Sequence, residues 1–164
     1  MLNVGVHRRI AEGVSVGAHE LLMNAMYDAP VDRNGQLKYA LERAAMITLE
    51  DAEVPALRLT IDSRRIALDA IDPFGRLPRG RFFDGVLRGH KSLTAENPQD
   101  FLDTSFGGAG LGLHTLYTTG ILLRAEVTPF QTTHVSWVID RTAGGKELRT
   151  AQRSLYFLTH VVRR

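Results

Sequence analysis

Two pairs of alternating runs constrain this chain most. Leu57, Leu59 and Ile61 share one parity, and after Asp62-Ser63-Arg64 a second set follows at Ile66, Leu68 and Ala70. The pattern returns at Leu123, Ala125 and Val127 and, beyond Pro129-Phe130-Gln131, at Val135, Trp137 and Ile139. A period of two places every apolar side chain of a strand on the same side, so each pair reads as a β-hairpin with one buried face. That face needs a layer of helix to cover it.

The helices are legible from a longer period. From Arg8 to Ala29 the apolar positions Ala18, Leu21, Leu22, Ala25 and Ala29 recur three and four apart, and Pro30 supplies a stop. Gly13 and Gly17 are expected to break this helix into two pieces. Glu20, Asn24 and Asp28 stand four apart and project in one row. An Asn oxygen is a suitable ligand for Mg²⁺, and a Glu one turn earlier can orient or deprotonate a nucleophile. The plainer reading of such a row is a solvated helix face.

Between Thr104 and Thr119 runs T-S-F-G-G-A-G-L-G-L-H-T-L-Y-T-T, with Gly107, Gly108, Gly110 and Gly112 just ahead of an apolar segment. This predicts a loop leading into a helix over Leu113 to Thr119 that closes at Gly120. Glycines let a bulky anion approach backbone amides, and a helix N-terminus adds donors and a positive dipole end. A Walker loop would need Lys where Leu113 stands, and a dinucleotide fingerprint starting at Gly108 would need glycine there. A tight turn with close backbone packing is the reading that needs no ligand.

Three segments carry less. Pro30 to Pro55 holds the turn-forming Val31-Asp32-Arg33-Asn34-Gly35, then a stretch from Leu37 to Met46 that suits a short helix, then Ile47-Thr48-Leu49, which suits an extended piece equally. Asp72 ends the second strand and is followed by Pro73-Phe74-Gly75-Arg76, either a plain turn or a site edge where a carboxylate accepts hydrogen bonds from a ligand amine. Arg79 to Asp103 is polar and interrupted, so a short helix over Phe82 to Leu87 inside a long binding loop or lid is expected. Leu155 to Val162 is apolar and β-branched enough for another strand or an interaction tail.

Composition narrows the class. The chain has 164 residues, 44% hydrophobic and 23% charged, which suits one domain with a sizeable core. A formal net charge of +2 gives no support to nucleic-acid binding. No cysteine is present, which removes disulfides, thiolate metal sites and a cysteine nucleophile. No apolar run approaches the length of a membrane span and no leader is recognisable, so a cytoplasmic protein is expected. The six histidines fall into no H-x-H or H-x-x-x-H pattern, and no G-x-S-x-G elbow exists.

In this order the elements resemble the Bergerat nucleotide-binding fold of the GHKL ATPases, which includes gyrase, the heat-shock chaperone, mismatch-repair proteins, histidine kinases and the anti-sigma-factor serine kinases. The resemblance covers roughly Ala18 to Asp140. Glu20-Leu21-Leu22-Met23-Asn24-Ala25 is similar to the family's E-x-x-x-N-A helix, and Gly107 to Leu113, G-G-A-G-L-G-L, to its second glycine box. It implies that Asn24 binds Mg²⁺ and Glu20 acts as general base. It further implies that Asp72 receives the adenine amino group beside Thr133, and that Gly75, Gly107, Gly108, Gly110, Leu111 and Gly112 contact the nucleotide. The family's first glycine box is D-x-G-x-G, and here Phe74 occupies the first glycine position.

The fold expected from the resemblance is a two-layer α/β sandwich over residues 1–164, with a mixed, mostly antiparallel sheet and helices on one face, lacking the N-terminal elements of the serine kinases. The function expected is an ATP-Mg²⁺-binding protein kinase of serine or histidine-kinase type in bacterial signalling, with ATP and Mg²⁺ as cofactors. Its partner would be a protein phosphoacceptor or regulated signalling protein, with no nucleic acid and no membrane, and the chain itself could form a homodimer. The alternative is a degenerate nucleotide-binding or interaction module in which Phe74 partly fills the adenine pocket.

Overall fold

The computed structural model describes residues 8–40, 46–94 and 112–161. They form an α/β fold built on one mixed five-stranded sheet with strand order β1-β2-β4-β3-β5. The strands are β1 (Ala56–Ile61), β2 (Arg65–Asp72), β3 (Leu122–Thr128), β4 (Thr132–Asp140) and β5 (Ser154–Thr159). The helices are α1 (Arg8–Met23), α2 (Arg79–Thr94), α3 (Gly112–Thr119) and α4 (Gly145–Thr150).

The alternation seen in the sequence fixes the register. β2 and β4 are antiparallel with Ile66 opposite Ile139, Leu68 opposite Trp137 and Ala70 opposite Val135. On the other side of β4, Leu123 faces Trp137 and Ala125 faces Val135. Opposed residues share a face, so the apolar sets of three strands merge into one surface. Ile10 from α1, Phe82 and Val86 from α2 and Leu116 from α3 close over it, forming a core with Ile66, Leu68, Leu123 and Trp137. Each fully buried Leu, Ile or Phe contributes about 1.5–3 kcal/mol by leaving water.

Trp137 organises the contact between layers. It is fully buried, and its indole N–H donates to Leu116 O at 2.7 Å, so the polar edge of the ring is satisfied by α3. A Cβ on Gly17 would lie 3.0 Å from the ring and one on Gly120 would lie 2.4 Å from its nitrogen. These glycines let α1 and the end of α3 come down onto the indole. Gly13 and Gly17 therefore do not break the first helix, contrary to the sequence expectation. They face the sheet, where closeness of approach outweighs poor helix propensity.

Three other expectations change. Leu57, Leu59 and Ile61 share the helix-side face of the sheet, yet all are exposed, because β1 is the edge strand and lies beyond the helices. The short helix at Phe82 to Leu87 is the middle of a sixteen-residue helix, since Phe82 and Val86 anchor one face of it in the core. The expected lid from Arg79 thus begins as packed helix. Leu37 to Ala40 is turn rather than helix, with Val31 bridged to Leu37, and residues 41–45 lie outside the described residues. Of the two readings open for the last apolar segment the strand is the one formed: β5 is added parallel to β3 with Leu155 beside Leu123 and Phe157 beside Ala125.

The connection that makes β5 possible includes α4, which the sequence reading did not assign. Glu147 Oε2 accepts the Gly144 N–H at 2.6 Å, closing its first turn. Arg153 then donates to Thr118 O and Leu148 O, both at 2.9 Å, tying α3, α4 and the start of β5 together.

Candidate functional site

The helix row and the strand ends meet in a cavity of about 300 Å³, lined by residues that include Leu21, Asn24, Asp28, Ala70, Asp72, Arg81, Leu113 and Thr133. Its size is at the lower end for small-molecule sites, and a mostly apolar wall with a few polar groups is their usual chemistry.

Asp72 is the last residue of β2, directly opposite Thr133 on β4, and both are buried. The chain turns sharply after Asp72 and uses its carboxylate to do so: Oδ1 accepts the amide N–H of Phe74 at 2.9 Å and of Gly75 at 3.3 Å. Burial raises the carboxyl above the ordinary carboxylate range, opposed by the Phe74 and Gly75 amides and by Thr133. Thr133 Oγ1 is buried without a hydrogen bond of normal geometry among the described residues. A buried hydroxyl in that condition costs about 1–3 kcal/mol until something bonds to it.

Gly75 and Phe74 sit differently from the sequence expectation. Gly75 has φ +60°, and a Cβ there would fall 2.1 Å from Thr128 O and 2.9 Å from Phe130 N. The position serves close packing of the turn against the β3–β4 connection, where Arg76 stacks its guanidinium 4.6 Å from the Phe130 ring. Neither Phe74 nor Gly75 forms part of the cavity wall, so the phenyl ring does not fill it.

The opposite wall comes from the end of the first helix. After Met23 the α-helix widens into a π-helical turn, Asn24–Asp28, that carries Asn24 and Asp28 to the cavity. Single π turns of this kind recur at functional sites. Asp28 also pairs with Arg81 of α2 at 3.5 Å, so the wall is closed by an ion pair between two elements. Arg81 was missed by sequence reasoning because its segment read as loop. The clue was its place three residues after Pro78, in the first turn of a helix.

Glu20 is not in this wall. It lies against α3, close enough that a Cβ on Gly112 would fall 2.1 Å from its Oε2. Asp72, Asn24 and Glu20 thus succeed one another from the cavity floor, along the helix, to the first residue of α3. Gly107, Gly108, Gly110 and Leu111 lie outside the described residues. His114 plays a structural part: its Nδ1 donates to Val86 O at 3.0 Å and joins α3 to α2.

Among the described residues, no group of three or more His, Asp or Glu stands together to hold a metal ion. Among the described residues lining the cavity, Asn24 and Thr133 offer neutral oxygens beside the Asp28 and Asp72 carboxylates. Such a donor set fits a hard cation that takes its remaining ligands from water and from a bound anion. No described helix is long and apolar enough to cross a membrane. No protein-family model, curated protein or solved structure matches the chain.

Proposed function

We propose that the chain is a Bergerat-type domain that binds ATP with Mg²⁺ and acts as a protein kinase on a signalling partner. The observation that carries this reading is the pairing of Asp72 with Thr133 at the floor of an apolar cavity whose wall holds Asn24. A flat base in the cavity would present its exocyclic amine to the Asp72 carboxylate and a ring acceptor to the Thr133 hydroxyl. The apolar walls, Leu21 and Ala70 among them, would cover its faces.

From there the phosphates would run past Asn24 toward Gly112. Asn24 would hold Mg²⁺, which supplies charge neutralisation on the phosphate oxygens when bound. Glu20, beside Gly112, would stand at the far end of the nucleotide, where a general base has access to an acceptor hydroxyl or imidazole. Phosphoryl transfer depends mainly on positioning and electrostatics, and this linear order would supply both.

Calorimetric titration of ATP with Mg²⁺ into the wild type, Asp72→Asn and Asn24→Ala tests the proposal. Wild type should bind in the micromolar range. Asp72→Asn should lose preference for ATP over GTP, and Asn24→Ala should lose the Mg²⁺-dependent part of the affinity. A folded wild-type protein that binds neither nucleotide would remove the reading altogether.

A further inference from the structure

The edge of the sheet at β1 has the pattern of a surface made to meet itself. β1 pairs with β2 on one side, and no described strand pairs with its other side. The turn fixes which backbone groups are spare. Asp62 N donates to Arg65 O at 3.0 Å, so residue 62 bonds inward to β2. With antiparallel alternation Thr60 and Arg58 also bond inward, leaving the N–H and C=O groups of Leu57, Leu59 and Ile61 pointing outward.

The side chains repeat the message. Leu57, Leu59 and Ile61 lie on the helix side of the sheet with 39%, 52% and 44% of their surface in solvent. An edge that is both unpaired and apolar is an invitation to strand addition, and proteins normally block or cover it. On the other face Arg58 and Asp62 are exposed, and neither forms a salt bridge among the described residues.

Arg58-Leu59-Thr60-Ile61-Asp62 is symmetric in type about Thr60, with apolar residues one place away and opposite charges two places away. We infer that β1 is a homodimer interface, in which two copies pair antiparallel about a two-fold axis at Thr60. Leu59 then lies opposite Ile61 of the partner subunit and exchanges backbone hydrogen bonds with it. Arg58 lies opposite Asp62 of the partner subunit, twice by symmetry. Centring the axis on Leu59 would leave Arg58 opposite a threonine, and centring it on Arg58 would oppose like charges. Charge complementarity therefore selects both the partner, a second copy of this chain, and the register. The two sheets become one of ten strands, and the apolar rows of both copies meet on one face.

The chain has no cysteine, so Thr60→Cys introduces its only thiol. At the axis two such residues form a non-hydrogen-bonded pair with Cα atoms about 4.5 Å apart, a span a disulfide can bridge. Mild oxidation should cross-link Thr60→Cys and leave Arg58→Cys largely monomeric on a non-reducing gel. Sedimentation of the wild type should show a dimer, and Arg58→Glu, checked for an unchanged melting curve, should weaken it at least tenfold. Mixing Arg58→Glu with Asp62→Lys should restore association, because each bad pair becomes a good one in the mixed dimer. A wild type that stays monomeric up to about 0.5 mM, a dimer indifferent to Arg58→Glu, or cross-linking at Arg58→Cys in preference to Thr60→Cys would each overturn the inference. If Asp62→Lys does not fold, the two cysteine variants and Arg58→Glu still decide it.

Discussion

Asp72 and Thr133 are direct cross-strand neighbours at the end of the β2–β4 ladder, both on the helix-covered face and only 6% and 2% exposed. A carboxylate and a hydroxyl at such depth are costly to the fold, and their partners in the chain are incomplete. Thr133 Oγ1 has no normal hydrogen bond among the described residues, and burial raises the Asp72 carboxyl above its usual range.

Replacing Asp72 by Asn should separate stability from binding. The Asn carbonyl can still accept the Phe74 and Gly75 amides, while no charge has to be buried. The variant should be more stable than wild type by about 0.5–1 kcal/mol at pH 7, the usual gain when a strained functional group is relieved. Its ATP affinity should fall about 10- to 100-fold, the worth of one charged hydrogen bond. Urea denaturation and calorimetry read the two effects separately, and a variant that is both less stable and unchanged in affinity contradicts the assignment.

The pH dependence of stability should run in two directions. Glu53 is held below its ordinary 4.5 by its hydrogen bond from Lys38, so what it contributes is present above pH 4.5 and is lost as pH falls through the folded value. Asp62, held down by the Arg64 and Arg65 amides, and Asp140, held down by Thr142, behave likewise below their ordinary 3.8. Asp72 is the opposite case: its raised value means that stability is fully present below pH 3.8 and is lost as pH rises through the folded value. The stability advantage of Asp72→Asn should therefore shrink as the pH is lowered toward 3.8. Thermal melts of both proteins between pH 3.5 and pH 7, roughly the span of these titrations, would show it. A constant difference would mean that Asp72 does not titrate differently in the two states.

Glycine substitutions should rank by geometry. Gly75→Ala forces a positive φ and drives a Cβ into the Thr128 carbonyl, so it should cost about 3 kcal/mol or more. Gly35 also has positive φ, but its nearest neighbour is an Arg76 nitrogen at 3.7 Å, so Gly35→Ala should cost only about 1 kcal/mol. Equal costs for the two in urea titrations would contradict the packing of the Asp72 turn against the β3–β4 connection.

Trp137→Phe should destabilise by about 0.5–1.5 kcal/mol, the net worth of one hydrogen bond, because the Leu116 carbonyl loses the indole N–H but keeps the Gly120 amide at 3.0 Å. The loss should appear chiefly as poorer docking of α3. Hydrogen exchange over Gly112–Thr119 should accelerate more than over β2, and uniform acceleration would argue against a local role.

Much of this was legible because periodicity encodes which face is buried. The two hairpins, the Asp72 strand end and the Asn24 helix can be read from spacing alone. Depth of burial could not be, since Leu57 and Leu68 look alike in sequence yet one lies at the sheet edge and the other beneath α1. Gly17 reads as a helix breaker until Trp137, far along the chain, is known to lie against it. Arg79–Thr94 reads as a short helix over Phe82 to Leu87 inside a loop, because its glycines and charges hide how far the helix runs on either side of the Phe82 and Val86 anchors. The parallel addition of β5 is a long-range choice that no local pattern announces.

The π turn at Asn24–Asp28 makes the geometry of this wall sensitive to chain length as well as to side-chain identity. It winds one more residue into a turn than an α-helix would. Removing a single residue there would let the hydrogen-bond ladder close as ordinary helix, with no break, because four α-helical residues turn the chain through about the same angle, roughly 400°, as five residues of a π turn. Glu20 would keep its place against Gly112 and Asp28 its place on Arg81, while the widened turn that carries Asn24 to the cavity would be gone. The place of Asn24 in the wall is thus set by one residue that contributes no functional group of its own.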